Sequence, residues 1–479
     1  MNDLLFQPIH EVAPLLRKRA ISPVELTRAL LDHIEQLEPK LNAFITVRAE
    51  EALNGARTAE AAIVRGDWQG PLHGIPIGIK DNIAVNGWPT TCASKILANH
   101  VTTYDATVVK RLREAGAVIV GKNNLHEFAM GGTSSKSHFG LIRNPWNLEY
   151  VPGGSSGGGA ASVSAGEVFA AMGTDGRGSI RTPTSFCGVV GLKPTFGLVS
   201  HFGEVPPSST WMCSLGPICR TVTDAALMLN ALAGHDANDP SSARSDKRDY
   251  TATLEAGVKG LRLGLVTNYF YDDTATKVRE AVWSAAEAFR GLGADVREVE
   301  LPGLEHISLL GPGLTAESND FLLPYALEHG EDFCDQNTRY MVLAREFSRS
   351  SDTFRALRVA NLIRREAREL MSRVDLLITP VNSAPAFPIA ESRGAERRRE
   401  LPESPKRESV TGRLTTPFNV LGMPAISIPC AFTAQGLPIG LQIAGRHFED
   451  HIVLQAARAF ERSVGPGYRR PAVVVDKNK

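Results

Sequence analysis

The chain has 479 residues and a mass of 51.7 kDa, which is long enough to bury a large hydrophobic core. Its 52 basic side chains balance 52 acidic ones, so there is no net field to attract nucleic acid or an anionic membrane, and we expect neither as a partner. The sequence starts without a basic and apolar leader and contains no apolar stretch of about 18 residues, which predicts a cytoplasmic protein.

The first segment is typical of a helical arm. Ser22-Pro23 combines a helix cap with a first-turn proline, and Leu26, Leu30 and Ile34 then recur at helical spacing. We therefore expect a helical amino-terminal arm over about residues 1–70 of a single domain that spans residues 1–479.

Strand patterns follow the arm. Short β-type runs at 74–80, 117–120 and 294–299 alternate with helical segments, which predicts an α/β fold. Near the carboxyl end, three further apolar runs read as buried strands, and a turn at 434–436 separates the last two. The three runs lie at 376–379, 425–428 and 440–443. The hairpin predicts a mixed sheet, while residues 391–406 are typical of an exposed loop.

Two loops combine glycines with serines, at 152–159 and 173–181. Each alone is compatible with a flexible turn. A phosphate-binding interpretation of the first loop fails, because the Lys-Ser/Thr ending of a nucleotide-binding loop is missing after Gly159. The run 153–157 also fits the Gly-x-Ser-x-Gly elbow, which needs a downstream Asp and His, but the candidate histidines His201, His306 and His447 stand in no recognisable context.

The six cysteines lack the close pairs of a zinc site and the density of a disulfide scaffold. Cys213 and Cys219 have no neighbouring cluster of His or Cys in the sequence, so we expect reduced thiols and no metal. No motif indicates a cofactor, and we expect none.

Several motifs together resemble the amidase signature family. They are the segments 74–82, 121–131, 143–146, 152–159, 173–181, 186–194, 422–425 and 436–442, which cover most of the chain in order. The resemblance implies a central twisted mixed β-sheet flanked by α-helices on both sides. It also implies that Lys80, Ser155 and Ser179 form a Ser-Ser-Lys triad that hydrolyses a carboxamide through an acyl-serine, with a cis peptide bond before Ser155.

The chemistry of this triad makes physical sense. A serine hydroxyl needs a base, and Lys80 can serve near neutral pH only if its pKa falls by roughly 3 units. We expect the clustered backbone N–H groups of Gly176, Arg177, Gly178 and Ser179 to stabilise an oxyanion.

Neighbouring residues receive supporting roles by the same resemblance. Ser156 is a supporting hydroxyl, and Asp175 and Arg181 flank the nucleophile. Ala129 and Met130, with parts of 317–325 and 418–420, are expected to line the substrate pocket.

Two departures from the family bear on the substrate. Arg177 stands where the family usually has glycine, and Cys213 where many relatives carry aspartate. The alternative is the amidase subunit of a tRNA-dependent glutamine amidotransferase, but the chain lacks that aspartate and a Leu-Gly-Thr-Tyr-like segment within 333–351. We therefore expect a stand-alone amidase that acts on a small-molecule amide, and the sequence leaves a homodimer open.

Overall fold

The computed structural model describes residues 2–206, 211–307, 310, 319–392, 410–465 and 468–474. Within these ranges, eleven strands form one sheet in the order β1-β3-β2-β4-β6-β5-β10-β11-β9-β7-β8. The strands are β1 (Phe44–Val47), β2 (Pro76–Lys80), β3 (Val118–Asn123), β4 (Ala170–Asp175), β5 (Val190–Lys193), β6 (Ser214–Cys219), β7 (Arg262–Val266), β8 (Asp295–Val299), β9 (Leu376–Pro380), β10 (Ala425–Phe432) and β11 (Pro438–Gly445).

Helices flank this sheet, so the α/β prediction is confirmed. Those in the described residues are α1 (Ile9–Arg17), α2 (Pro23–Leu41), α3 (Ala49–Arg65), α4 (Thr107–Glu114), α5 (Gly157–Ser164), α6 (Arg181–Cys187), α7 (Val222–Leu232), α8 (Thr276–Gly291), α9 (Asn319–Glu328), α10 (Gln336–Arg345), α11 (Ser350–Arg373), α12 (Ile389–Ser392), α13 (Thr416–Val420) and α14 (Asp450–Ser463). None of the helices in these ranges has the length and apolar character needed to cross a bilayer.

The sheet is mixed, as the hairpin predicts. Strand β2 pairs in parallel with both β3 and β4, and β7 pairs in parallel with β8 and β9. The strands between these two groups are antiparallel, including the hairpin of β10 and β11. The described part of the predicted loop at 391–406 is its first two residues, which end α12.

The amino-terminal arm contains the predicted helices and one strand that the pattern did not predict. The Ser22 side chain accepts hydrogen bonds from the N–H groups of Val24 and Glu25, so it caps α2 as expected. The segment Phe44–Val47 is not helical, because it forms β1 and pairs antiparallel with β3. The arm is thereby tied to the edge of the central sheet.

Parallel pairing and tight helix packing position the serine loops. The carboxyl ends of β2 and β4 lie at the same edge of the sheet, with Ile79 opposite Met172. Helix α5 is buried along its whole length beside them. A Cβ atom on Gly158 would lie 2.4 Å from backbone oxygens of Ala43 and Asn124, so only glycine permits this approach.

Candidate active site

Lys80 is the last residue of β2, and its side chain is fully buried. The Lys80 Nζ atom lies 2.8 Å from Ser155 Oγ and 2.7 Å from Thr174 Oγ1. Strand β4 carries Thr174, and the parallel pairing with β2 brings this hydroxyl beside the amine. Two hydroxyl groups therefore hold the amine in one orientation.

The environment of Lys80 favours a neutral amine. Burial lowers its pKa to about 8, because a charged ammonium loses its hydration there. The nearby negative charge of Glu204 opposes this shift. A lysine with this pKa is partly unprotonated near neutral pH.

Ser155 and Ser156 lead into α5. The Gly154–Ser155 peptide bond is cis, as the family resemblance implies. The Ser156 N–H donates to the Ser179 carbonyl over 3.0 Å, and its hydroxyl donates to the Thr174 carbonyl over 3.3 Å. Ser156 therefore joins the two serine loops through its backbone as well as its hydroxyl.

Ser179 faces a cavity of about 480 Å³. Within the described residues its hydroxyl makes no hydrogen bond, and the contact with Ser155 that a relay requires stays a prediction. The cavity is lined by Asn82, Phe128, Ala129, Met130, Gly131, Gly132, Gly154, Thr174, Gly176, Arg177, Ser179, Thr182, Glu204, Pro206, Met212, Cys213, Met341, Arg345, Thr411 and Gly412. No histidine of the described chain lines it, which removes the support for a Ser-His elbow.

Asp175 and Arg181 organise the loop that carries Ser179. Both side chains are fully buried, and Arg181 Nη2 lies 2.9 Å from Asp175 Oδ1. Burial raises the pKa of the Asp175 carboxyl, but the charge and hydrogen bonds of Arg181 outweigh it, so the net pKa falls below its usual value. Arg181 also donates to Asn419 and Gln442, on α13 and β11. The ion pair thus fixes the loop to the sheet.

The expected oxyanion role of Gly178 stays a prediction, and the structure gives its N–H another acceptor. Its N–H donates to Asp175 Oδ1 over 2.7 Å and is therefore occupied by the loop itself. Within the described residues, the N–H groups of Gly176, Arg177 and Ser179 have no acceptor. These three remain the available donors at the cavity.

Arg177 does not strain the backbone. Its φ is not positive, whereas Gly178 adopts φ +108°. The Arg177 side chain lines the cavity, and its Nε donates to Thr416 Oγ1 over 3.4 Å. The departure from glycine therefore changes the cavity surface.

The structure places part of the predicted pocket lining at the cavity. Ala129 and Met130 line it, whereas residues 319–325 and 418–420 do not. Residues 317 and 318 of the predicted lining lie outside the described residues. Met341 and Arg345, on α10, line the cavity without any signal in the sequence, because only tertiary packing brings α10 there.

Comparisons with known proteins agree with this geometry. The profile of the Amidase family matches residues 25–454. The chain is 41% identical to a glutamyl-tRNA(Gln) amidotransferase subunit of Moorella thermoacetica, over 99% of this chain and 100% of the relative. A crystal structure of the protein of the same name from Thermotoga maritima has a TM-score of 0.81 and 35% identity, with 98% of each chain covered. The native peptide amidase of Stenotrophomonas maltophilia has a TM-score of 0.84 and 30% identity, also with 98% of each chain covered.

These relatives overturn the expected partners. The names of the Moorella and Thermotoga proteins refer to a transfer RNA and to a subunit of an assembly. They contradict our expectation that nucleic acid is not a partner and that the only partner is a small-molecule amide. The physical reason for the error is that net charge says nothing about binding through other subunits of an assembly.

The family itself is established by the extent of these matches. The profile covers most of the chain, and full-length relatives exceed 30% identity. The chain therefore belongs to the amidase family, the amidase signature enzymes that act on carbon–nitrogen amide bonds.

Proposed function

We propose that Ser179 is the nucleophile, Ser155 the proton relay and Lys80 the base, in a chain that is the amidase subunit of a tRNA-dependent glutamine amidotransferase. The observation that carries the chemistry is the 2.8 Å contact between Lys80 Nζ and Ser155 Oγ in a buried site. The loop that bears Ser179 lies directly beside this pair, because Ser156 N–H binds the Ser179 carbonyl.

The reaction follows from these positions. Ser179 Oγ attacks the amide carbon, its proton passes to Ser155, and the Ser155 proton passes to the neutral Lys80 amine. The N–H groups of Arg177 and Ser179 stabilise the oxyanion. The Lys80 proton returns through Ser155 to the leaving nitrogen, which departs as ammonia from a primary amide. Water then cleaves the acyl-serine by the same proton route.

The choice of an amidotransferase role rests on the relatives. The Moorella protein matches essentially the full length of both chains, which supports an equivalent role better than a shared fold alone. The substrate of the hydrolytic step is then the side-chain amide of glutamine, and the released ammonia passes to a tRNA-bound acyl group.

A specific observation favours a second candidate, a stand-alone amidase. Cys213 lines the cavity at the position where the family resemblance implies an aspartate in many relatives, so this chain presents a thiol there. In that case the purified chain alone hydrolyses anilides or alkyl amides.

Ammonia release from glutamine and aniline release from anilides separate the two candidates. The chain is assayed alone and after co-expression with the other amidotransferase subunits, with glutamine and charged tRNA, and with a panel of anilides. We expect glutamine hydrolysis that depends on the partners and disappears in Ser179→Ala. Full anilide turnover by the isolated chain, with no response to glutamine in the assembly, would refute the amidotransferase role while leaving the triad intact. Unchanged turnover in Ser179→Ala would refute the triad.

A further inference from the structure

We propose that His201, Glu204 and Cys213 form a binding site for a transition-metal dication of the zinc class in the wall of the catalytic cavity. Each offers one ligand atom, and the three atoms lie within 4.8 Å of one another. The sequence predicted no metal, because its test was for histidines and cysteines close in the chain. The fold brings Cys213 next to His201 and Glu204, which lie earlier in the chain. This inference does not rest on the proposed function.

The distances fit a single ion. His201 Nδ1 lies 3.7 Å from Glu204 Oε2, and Cys213 Sγ lies 3.5 Å from Glu204 Oε1. Tetrahedral zinc with nitrogen, oxygen and sulfur ligands separates those atoms by about 3.4–3.6 Å. The two distances reach different oxygens of the Glu204 carboxylate, so binding of one ion requires the side chains to rotate toward a common point.

The backbone around the cluster is held in place. The His201 N–H donates to Asp239 over 2.7 Å, and the Glu204 N–H donates to the His201 carbonyl over 3.0 Å. Glu204 also forms a bridge with Ile83, next to the end of β2. Cys213 directly precedes β6 in the central sheet. The ligands thus stand on fixed segments, which reduces the ordering cost of binding.

The donor set selects the class of metal. A thiolate and an imidazole suit zinc, cobalt or copper, whereas magnesium and calcium prefer oxygen ligands alone. The side chains of His201 and Glu204 are only 12% and 3% exposed, so an ion there is shielded from bulk water. Buried His201 Nε2 has no hydrogen-bond partner in the described structure, and a ring flip would present that nitrogen instead.

Two of the ligands also border the space in front of Ser179. Glu204 and Cys213 line the cavity together with the Ser179 residue. Three protein ligands leave the fourth position of a tetrahedral ion open to a further ligand. Binding is a ligand exchange without electron transfer: the Cys213 thiol loses its proton to solvent, the sulfur binds the dication, and neutral imidazole and carboxylate complete the set.

Cobalt titration tests the site without any assay of turnover. The full chain is stripped with a chelator, kept reduced with a phosphine, and titrated with cobalt chloride. We expect a thiolate-to-cobalt charge-transfer band that saturates at about one ion per chain and is displaced by zinc. Cys213→Ser should lose the band, and Glu204→Gln should weaken binding by roughly tenfold or more. Cys430→Ser, at a half-buried thiol near Ile439, is the matched control and should keep the band.

A second measurement uses the unaltered protein and so avoids misfolded variants. Zinc should slow alkylation of Cys213 relative to Cys334 and Cys430, as mapped by peptide mass spectrometry. The absence of a charge-transfer band in the folded chain, a band unchanged in Cys213→Ser, or equal protection of all three thiols would each overturn the site. Because no readout involves amide hydrolysis, failure here leaves the proposed function untouched.

Discussion

The protonation of Lys80 should control the reactivity of Ser179. The perturbation is pH, and the readout is the rate at which a fluorophosphonate labels Ser179. Only the neutral amine can accept a proton through Ser155, and burial sets the Lys80 pKa to about 8. The lowered pKa means that the active form increases as pH rises and is nearly complete one pH unit above that value.

The size of the effect follows from the pKa. About 1 part in 100 of Lys80 is neutral at pH 6, about one tenth at pH 7 and about nine tenths at pH 9. The labelling rate should therefore rise by roughly two orders of magnitude between pH 6 and pH 9 and then level off. Lys80→Met should remove both the reactivity and its pH dependence.

A second buried lysine serves as the control. Burial lowers the pKa of Lys193 to about 7, and its Nζ donates to the Pro194 carbonyl over 2.8 Å. Lys193→Met should leave the inflection near pH 8. A flat profile between pH 6 and 9, a rate that keeps rising tenfold per pH unit beyond pH 9, or an inflection that moves with Lys193 would refute the assignment to Lys80.

Three substitutions test the rest of the site. Thr174→Val removes one hydroxyl from the Lys80 amine and should slow labelling about fivefold, the kinetic equivalent of one hydrogen bond of about 1 kcal/mol. Arg181→Met leaves the buried Asp175 carboxylate without its ion pair and should lower the free energy of unfolding by about 3–5 kcal/mol. The control Arg355→Met, at an exposed ion pair, should leave the urea midpoint unchanged. Equal urea midpoints for the two variants would contradict a structural role for the buried pair. Gly178→Ala should abolish labelling, because Gly178 has φ +108° and the new Cβ would lie 2.1 Å from a threonine hydroxyl. The control Gly436→Ala, at a residue with φ +79° and open space around it, should label at the normal rate. Normal labelling of Gly178→Ala would show that the loop tolerates rearrangement.

The sequence predicted the six strands β2, β3, β8, β9, β10 and β11, and it missed β1, β4, β5, β6 and β7. Strand β4, Ala170–Asp175, has no β-branched residue before Thr174, so its pattern is weak. Strand β6 contains Pro217, which argues against a central strand, yet it lies between β4 and β5. Close approach of glycine-rich α5 favours the small side chains of β4, which a propensity argument cannot include.

Part of the candidate site could likewise be predicted from the sequence, and part could not. The family resemblance proposes Lys80, Ser155 and Ser179 as the triad, and the structure brings Lys80 and Ser155 into contact. Thr174 and Glu204 carry no such signal, since parallel pairing and loop packing alone place them near the amine. Gly178 is predicted from its position in a cluster of N–H groups, and only the fold shows that its N–H donates to Asp175.

The buried amine links catalysis to stability. A pKa lowered from 10.5 to about 8 means that Lys80 destabilises the folded chain by about 3 kcal/mol at neutral pH, because folding releases its proton or buries its charge. This cost is present below pH 8 and disappears as pH rises through the unfolded value of 10.5. A methionine would avoid the cost and fill similar space, so stability alone does not favour lysine here. The fold retains a destabilising group at the end of β2 and surrounds it with two hydroxyls suited to proton transfer, which is the pattern expected when function opposes stability.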